Sequence, residues 1–432
     1  MAALIRTTEL DFEIKLSSVL SINRSAKHKV DSVVANILEE VRVRGDLAVN
    51  DFTLRFDKVD ISGEKFFFTE DEIAKSLDMC SHRLLNAMSN ASQRIHDFHQ
   101  KQMPQDLNHD TEQAIKVGYR WKPIRRAGLY VPAGQAPLFS SILMNVIPAK
   151  VAGVKEIVVS MPTPMGQVAP AMLAACSILG VNKIFKIGGA QAIGAMAYGT
   201  ERINPVDIIA GPGNTYVASA KKQVFGQVGI DMIAGPSEIT IVADNMNNPK
   251  WIAADILAQA EHDESAQSIL ITDDEVFASK VSEEVDSQID NDSFSKTAKE
   301  SWLHNGLIII VDNLEEVPKI IDCISPEHLE LAIDYPVNLL NKINNAGAIF
   351  LGRYTPEAVG DYIAGPSHVL PTSGTARFSS GLSVLNFLKR TSIIQCDENG
   401  LKLIADDIVE MAKTEGLMYH AKSISLRSSK GL

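Results

Sequence analysis

The sequence predicts an α/β protein of two lobes with parallel-sheet character, preceded by N-terminal helices and followed by a small C-terminal arm. Three observations predict it. The chain has 432 residues, too many for one ordinary core. From about Gly128 onward, short apolar strands alternate with Gly-rich turns and helical stretches, the grammar of parallel strands joined by crossover helices. That grammar pauses at Gly235-Pro236-Ser237 and then resumes, which sets the meeting of the lobes near residues 235–240.

The first part reads as helical. Val30, Val33, Val34, Ile37, Leu38 and Val41 recur at helical spacing. Thr69 with Glu72 has the form of a capping box ahead of one long amphipathic stretch carrying Leu77, Leu84, Leu85, Met88, Ile95 and Phe98. Strands follow at 155–160, 183–187 and 206–210, with Gly-rich turns and helices at 190–199 and 216–224. The second lobe repeats this alternation, with strands at 239–243, 268–272, 306–311 and 347–352, and a helix at 251–261. Residues 355–380 are punctuated by Pro356, Gly360, Gly365, Pro366, Pro371 and Gly374, and read as loop. The tail reads as a strand at 392–394, a helix through Leu401, Ile404, Ile408 and Met411, and an extended piece from Ser423 to Leu426. The expected units are an N-terminal segment 1–24, a first lobe 25–237, a second lobe 238–380 and an arm 381–432. A short insert near 109–127 is expected to join the second lobe.

Hydrophobic residues make up 45% and charged residues 22%, ordinary for a globular protein, and the net charge is −12. That charge argues against nucleic acid or an anionic membrane as partner. The longest apolar candidate, 168–181, is broken by Pro170 and too short to span a bilayer. The first residues lack the long apolar core of a signal peptide. Cys80, Cys176, Cys323 and Cys396 are isolated, which fits a reducing cytoplasm.

The richest local signal is Glu327-His328 within Ser-Pro-Glu-His-Leu-Glu-Leu, residues 325–331. Carboxylate and imidazole are the commonest proton-transfer groups near neutral pH. Pro326 suits the first turn of a helix, and in a helix adjacent side chains do not face each other. The pair then works on different protons, or simply marks a capped helix start with one exposed His. Gln259 and His262 share a helix face at i and i+3 and could ligate a metal. Asp361 and His420 would complete a set of two N and two O donors, suited to Zn²⁺, Mn²⁺ or Co²⁺ with open positions. Spacing does not bring these four together, and on spacing alone they are unrelated polar residues. Gly188-Gly189-Ala190-Gln191 and Gly211-Pro212-Gly213-Asn214 could hold phosphate at helix N-termini, or be tight connections. Neither has the Gly-x-Gly-x-x-Gly fingerprint. Gly235-Pro-Ser-Glu238 lacks the pattern of a hydrolase nucleophile turn. His28, His82, His96, His99, His109 and His304 read as surface residues.

Taken together, these segments resemble the histidinol dehydrogenase family. The matching runs are Gly128-Leu-Tyr-Val-Pro132, Ala136-Pro-Leu-Phe-Ser140, Gly188-Gly-Ala-Gln-Ala-Ile193, Gly211-Pro-Gly-Asn214, Ala234-Gly-Pro-Ser-Glu238, Gln259-Ala-Glu-His262, Pro326-Glu-His-Leu329, Gly360-Asp-Tyr362 and His368-Val-Leu-Pro-Thr372. They occur in the family's order over most of the chain. The resemblance implies two Rossmann-like lobes and a four-electron oxidation of L-histidinol to L-histidine through L-histidinaldehyde, using two NAD⁺ and one water. It implies one Zn²⁺ per subunit on Gln259, His262, Asp361 and His420, with those residues and Ser237, His328, His368 and Glu415 meeting the substrate. It implies NAD contacts at Tyr130, Gln191 and Asn214. It implies His328 as the general base and Glu327 as the group that activates water. It also implies a homodimer in which the arm crosses over, so that Glu415 and His420 complete the partner's site. Two other classes stay open on the residues: a metal-dependent hydrolase or aldolase, and a metal-bound scaffold without turnover.

Overall fold

The computed structural model describes residues 2–22, 28–110, 115–132, 137–291 and 296–428. Its strands, in chain order, are β1 (Ala3–Arg6), β2 (Leu107–Asp110), β3 (Ile115–Pro123), β4 (Arg126–Tyr130), β5 (Glu156–Ser160), β6 (Ile184–Phe185), β7 (Ile208–Ala210), β8 (Gly229–Ile230), β9 (Glu238–Ala243), β10 (Gln267–Thr272), β11 (Leu307–Ile310), β12 (His328–Ala332), β13 (Ala348–Leu351) and β14 (Leu388–Cys396). The first large sheet has the order β6-β5-β4-β7-β8 and the second β1-β11-β10-β9-β12-β13. Every pairing in both is parallel.

Runs such as Leu307-Ile-Ile-Ile310 and Glu238-Ile-Thr-Ile-Val-Ala243 suit such sheets, because strands covered on both faces need apolar residues at successive positions. The alternation of the pleat divides them. In the second sheet, Val242, Ile269, Ile271, Leu307, Ile309, Leu329 and Leu331 enter one core, while Ile239, Ile241, Leu270 and Ile308 enter the other. The first sheet sends Leu129 and Val159 to one side and Tyr130, Val158 and Ile209 to the other. Each buried Ile, Leu or Val contributes about 1.5–3 kcal/mol relative to exposure. The parallel α/β character thus follows from the strand sequences.

The structure corrects several expectations. The capping box is present, with Glu72 N–H donating to Thr69 Oγ1 at 3.1 Å and Thr69 N–H to Glu72 Oε2 at 2.7 Å. The long stretch behind it is two helices, Glu70–Asp78 and His82–Gln100, because Ser81 caps a second start. The N-terminal segment does not stand apart: β1 is the edge strand of the second sheet, in register with β11, and Leu16 and Leu20 enter that sheet's core. The insert near 109–127 does not join the second lobe. Its strand β3 pairs antiparallel with β2 and with all nine residues of β14, in a separate three-stranded sheet, and residues 111–114 lie outside the described residues. Within residues 355–380 a short helix forms at Glu357–Tyr362.

The final piece of the tail is a helix, Met418–Arg427, packed on the preceding helix Glu398–Thr414. The alternation Ser423-Ile-Ser-Leu426 has a strand-like period, but the neighbouring helix decides the local structure. Neither helix contributes to the four hydrophobic cores, and Leu403, Met411, Met418, Tyr419 and Leu426 are exposed. His99 is buried, with Nδ1 donating to the Ile95 carbonyl at 2.8 Å, whereas His82, His96, His109 and His304 are exposed as expected. The side chain of His28 and residue Ala136 lie outside the described residues. Among the described residues no helix is long and apolar enough to cross a membrane.

Candidate active site

Glu327 and His328 do not begin a helix. They begin β12, paired with β9 and β13. The helix Val317–Ile324 ends just before, with Ser325 left-handed at φ 52°. Proline just beyond a left-handed C-cap is as natural as proline in a first helical turn, which is why Pro326 misleads.

The two side chains are held by one residue of the neighbouring strand. Glu238 N–H donates to Glu327 Oε2 at 2.9 Å, and the Glu238 carbonyl accepts from His328 Nδ1 at 3.0 Å. A carbonyl only accepts, so Nδ1 carries the proton and Nε2 keeps its lone pair. That Nε2 is buried without a hydrogen-bond partner and lies 3.9 Å from Asp361 Oδ1. His328 Nδ1 and Glu327 Oε2 are 3.7 Å apart, too far for a hydrogen bond. Glu238 is itself fixed through Oε1, which accepts from Ser373 N–H at 3.0 Å, beside the motif that ends at Thr372. Gly347 passes so close to Glu327 that a Cβ would lie 2.6 Å from the Glu327 carbonyl oxygen.

Burial lowers the His328 pKa to about 4 against the opposing pull of Asp361, so the imidazole is neutral, with its Nε2 lone pair open to a proton. Burial, with the Glu238 and Asp361 charges, raises Glu327 well above the usual carboxylate range, although the Glu238 N–H opposes the rise. Behind them lies an acidic cluster that sequence reading missed. Glu357 Oε1 is 3.3 Å from His328 Nδ1, and both Glu357 carboxylate oxygens are buried without partners. Glu330 Oε1 accepts from Glu357 N–H at 2.6 Å. Burial pushes Glu330 up to about 8 and Asp255 to about 6. In His328-Leu-Glu-Leu-Ala332 the charged residue alternates with leucines, which reads as an outward-facing position; only the fold shows it covered.

The metal candidates are split. Gln259 ends the helix Pro249–Ala260, is fully buried, and has an orphan Oε1; its Nε2 is 3.2 Å from His262 Nδ1. His262 is exposed, yet its charge acts on the His328 and His368 rings. Asp361 sits on the short helix Glu357–Tyr362, where Gly360 lets the helix approach Phe350; a Cβ there would meet the ring at 2.6 Å. His420 and Glu415 are exposed on the arm and are not brought to this group within the chain. His328, Glu357 and Asp361 offer ligand atoms within 4.8 Å of one another. The orphan amide oxygen and the N/O donor set fit a borderline or hard divalent cation.

His368 bridges the lobes. Its Nδ1 donates to the Asp361 carbonyl at 3.0 Å, and its Nε2 lies 3.3 Å from Ser141 Oγ on the first-lobe helix Phe139–Val151. Ser237 immediately precedes β9, and the turn before it is tied by Gly235 N–H to Thr372 Oγ1.

On the first-lobe side, Tyr130 ends β4, and its buried hydroxyl accepts from Gly189 N–H at 3.1 Å. Burial raises this phenol to about 12. Gln191 is buried with an orphan Oε1. Asn214 caps the helix Thr215–Val224, accepting from Tyr216 and Val217 N–H at 3.1 Å each, so its Nδ2 is what it can offer a ligand. Gly211 has φ 112°, and a Cβ there would lie 2.0 Å from the Tyr130 carbonyl oxygen. A buried pair missed in the sequence, Lys221 with Asp231, clamps this turn: Lys221 Nζ donates to the Gly211 carbonyl at 2.9 Å and Asp231 accepts from Gly211 N–H at 2.8 Å. The arrangement can hold an anionic ligand beside Tyr130 and move protons at His328.

Comparison with known proteins places the chain in a family. Residues 21–428 match the sequence model of the family described as histidinol dehydrogenase. The chain is similar to a histidinol dehydrogenase of Rhodospirillum rubrum, at 50% identity over 99% of each chain. It is 49% identical to histidinol dehydrogenase 1 of Trichormus variabilis, over 98% of each chain. Its fold is similar to a crystal structure of histidinol dehydrogenase from Elizabethkingia anophelis, with a TM-score of 0.92 and 34% identity, covering 99% of this chain and 98% of that one.

Proposed function

Because the chain belongs to the histidinol dehydrogenase family, we propose that it oxidises L-histidinol to L-histidine through L-histidinaldehyde with NAD⁺, using His328 as base and Glu327 to activate water. The observation that carries the mechanism is the His328 tautomer: Nδ1–H committed to the Glu238 carbonyl, Nε2 left free and dry.

His328 Nε2 takes the alcohol proton in the first half-reaction. Glu327, with its raised pKa, takes a proton from the water that adds to the aldehyde. His328 Nε2 then takes the hydroxyl proton of the hydrated aldehyde in the second oxidation. When bound, NAD accepts hydride in each half, and a zinc ion anchors and orients the substrate nitrogens. Tyr130, Gln191 and Asn214 would hold the dinucleotide. Gln259, His262, Asp361 and the arm's His420 would hold one zinc, with Ser237, His368 and Glu415 against the substrate. Cys176 is buried in the core with its thiol pushed up to about 12, Cys323 and Cys396 are exposed, and Cys80 is remote in sequence from every site motif. A thiohemiacetal route therefore lacks its nucleophile, and direct hydration is favoured. The free cysteines also suit a reducing cytoplasm.

The uncovered apolar residues of the arm support a homodimer in which the arm helices complete the partner's site. Mixing inactive His262→Ala and His420→Ala subunits should restore activity; verified heterodimers without activity would refute sharing. The decisive assay follows NADH formed per histidinol, with and without a chelator. A yield near two that is lost on chelation is expected; a yield near one, or indifference to the chelator, would sink the reading. A second placement of the metal, on His328, Glu357 and Asp361, is favoured only by the closeness of those three within one chain.

A further inference from the structure

In a doubly wound sheet a dinucleotide lies across the carboxyl ends of the strands, and an acidic side chain beyond the phosphate-binding turn takes the ribose hydroxyls. Here the unit starts at β4 and continues through β5, but the segment after β5, Met161-Pro162-Thr163-Pro164, contains no acid. Thr163 instead directs its backbone N–H to the carboxylate of Asp57, the last residue of the helix Asp46–Asp57. An acid from the N-terminal helices is thereby delivered to the place where the strand itself supplies none.

Asp57 Oδ2 is buried and has no hydrogen-bond partner, and the same is true of the Thr163 hydroxyl. The Asp57 charge acts on the Tyr130 phenol, whose oxygen accepts from Gly189 N–H. The orphan Gln191 Oε1 adjoins Gly189, where a Cβ would lie 2.7 Å from it. Asp57, Thr163, Tyr130, Gly189 and Gln191 are thereby linked pair by pair at the carboxyl end of the first sheet. A buried carboxylate oxygen without a donor is costly, and burial already raises this carboxyl's pKa. The missing partner is a donor, and vicinal ribose hydroxyls supply two. A 2′-phosphate supplies negative charge instead, against a carboxylate.

We propose that Asp57 accepts hydrogen bonds from the vicinal hydroxyls of the dinucleotide's adenosine ribose and makes the enzyme select NAD⁺ over NADP⁺. The proposal rests on the reading that the dinucleotide occupies the first-sheet crevice. The test is steady-state kinetics of the full-length enzyme with NAD⁺ and with NADP⁺, for Asp57→Asn, Asp57→Ser and Gln191→Ala. Loss of a hydrogen bond to a charged group should raise the Asp57→Asn KM for NAD⁺ roughly 10- to 100-fold, with kcat changed less than about threefold. Asp57→Ser should narrow the NAD⁺/NADP⁺ ratio of kcat/KM by about tenfold or more, because the repulsive charge is gone. If Gln191→Ala raises the KM for NAD⁺ but both Asp57 variants keep the wild-type ratio, Asp57 has no such role and the crevice reading stands. If none of the three variants alters the KM for either dinucleotide, the crevice reading falls and takes this proposal with it. A lowered melting temperature with equal losses for both dinucleotides would assign Asp57 a structural role and overturn the proposal.

Discussion

In the first sheet the candidate side chains follow the strands: Tyr130 ends β4, Gln191 comes after β6 and Asn214 after β7. In the second sheet they stand at the strand starts: Ser237 comes just before β9, and Glu327 and His328 lie at the opening of β12. The helices match. The first sheet offers helix N-termini at Gly189 and Thr215, whereas the second offers the C-terminal end of Pro249–Ala260, with Gln259 and His262. N-termini carry partial positive charge and C-termini partial negative charge, each worth about 0.3–1 kcal/mol to a suitable ion. One sheet thus suits an anionic ligand and the other a cation, which is the division the proposed function assigns to them. The carboxyl edge of the second sheet, where its fold class would place a ligand, is filled. Arg353 forms a bidentate pair with Asp244 at 2.6 and 2.9 Å and reaches the Ala332 carbonyl at 3.1 Å, and Asn247 donates to the same carbonyl at 2.7 Å.

The strongest way to break this division is His328→Asn. Both half-reactions should slow by roughly 10²–10⁴-fold, the usual range for lost acid–base catalysis, while the KM for NAD⁺ stays near wild type. Bound zinc should persist in this variant, and its loss would move the metal to the His328, Glu357 and Asp361 placement. Glu327→Gln divides the second sheet's own labour. Aldehyde oxidation should slow by roughly 10²-fold and alcohol oxidation far less, read by single turnovers started from each substrate. Equal slowing of both would remove Glu327 from the water step.

Glu330→Gln tests what the amino edge costs in stability. The folded pKa of Glu330 is about 8 against an ordinary 4.5, so the folded state holds a proton that the unfolded state has released. Stability from this group is complete below the ordinary value and is lost as pH rises toward 8. The variant should melt higher than wild type at pH 8, with the gap closing toward pH 4.5; each kcal/mol is worth roughly 2–4 °C in domains of 150–250 residues. A gap that does not change with pH would exclude the buried proton. The smallest effect falls on the first sheet. Asn214→Ala should cost about 1 kcal/mol through the lost cap and raise the KM for NAD⁺, with the ratio of the two half-reactions unchanged. A changed ratio would blur the division between the sheets.

The apolar strands and glycine turns were readable because local composition determines them. Gly211 needs to be glycine wherever such a turn crosses a neighbouring strand, and the cap at Thr69 is written in four residues. Long-range pairing was not readable. The strand β14 is largely exposed and polar, so nothing local announces its partner β3, and β1 gives no sign that it will join a strand about 300 residues away. His99, expected at the surface, is buried, although the signal was there: Met88, Ala91, Ile95 and His99 share one helical face, and that face is covered. The motif order pointed to Glu327 and His328, but the backbone of Glu238 that holds both, and the acids Glu330 and Glu357 behind them, emerge only from three-dimensional proximity.

The ladder between β3 and β14 has a mechanical consequence for the arm. Nine residues of paired backbone clamp its root to its own body, so the chain is released only after Cys396. An arm that reaches a neighbour from such a root is a hook, not a threaded strand. Two subunits joined through such arms would separate by unhooking the helices Glu398–Thr414 and Met418–Arg427, with every sheet left whole, and could be remixed without refolding either body.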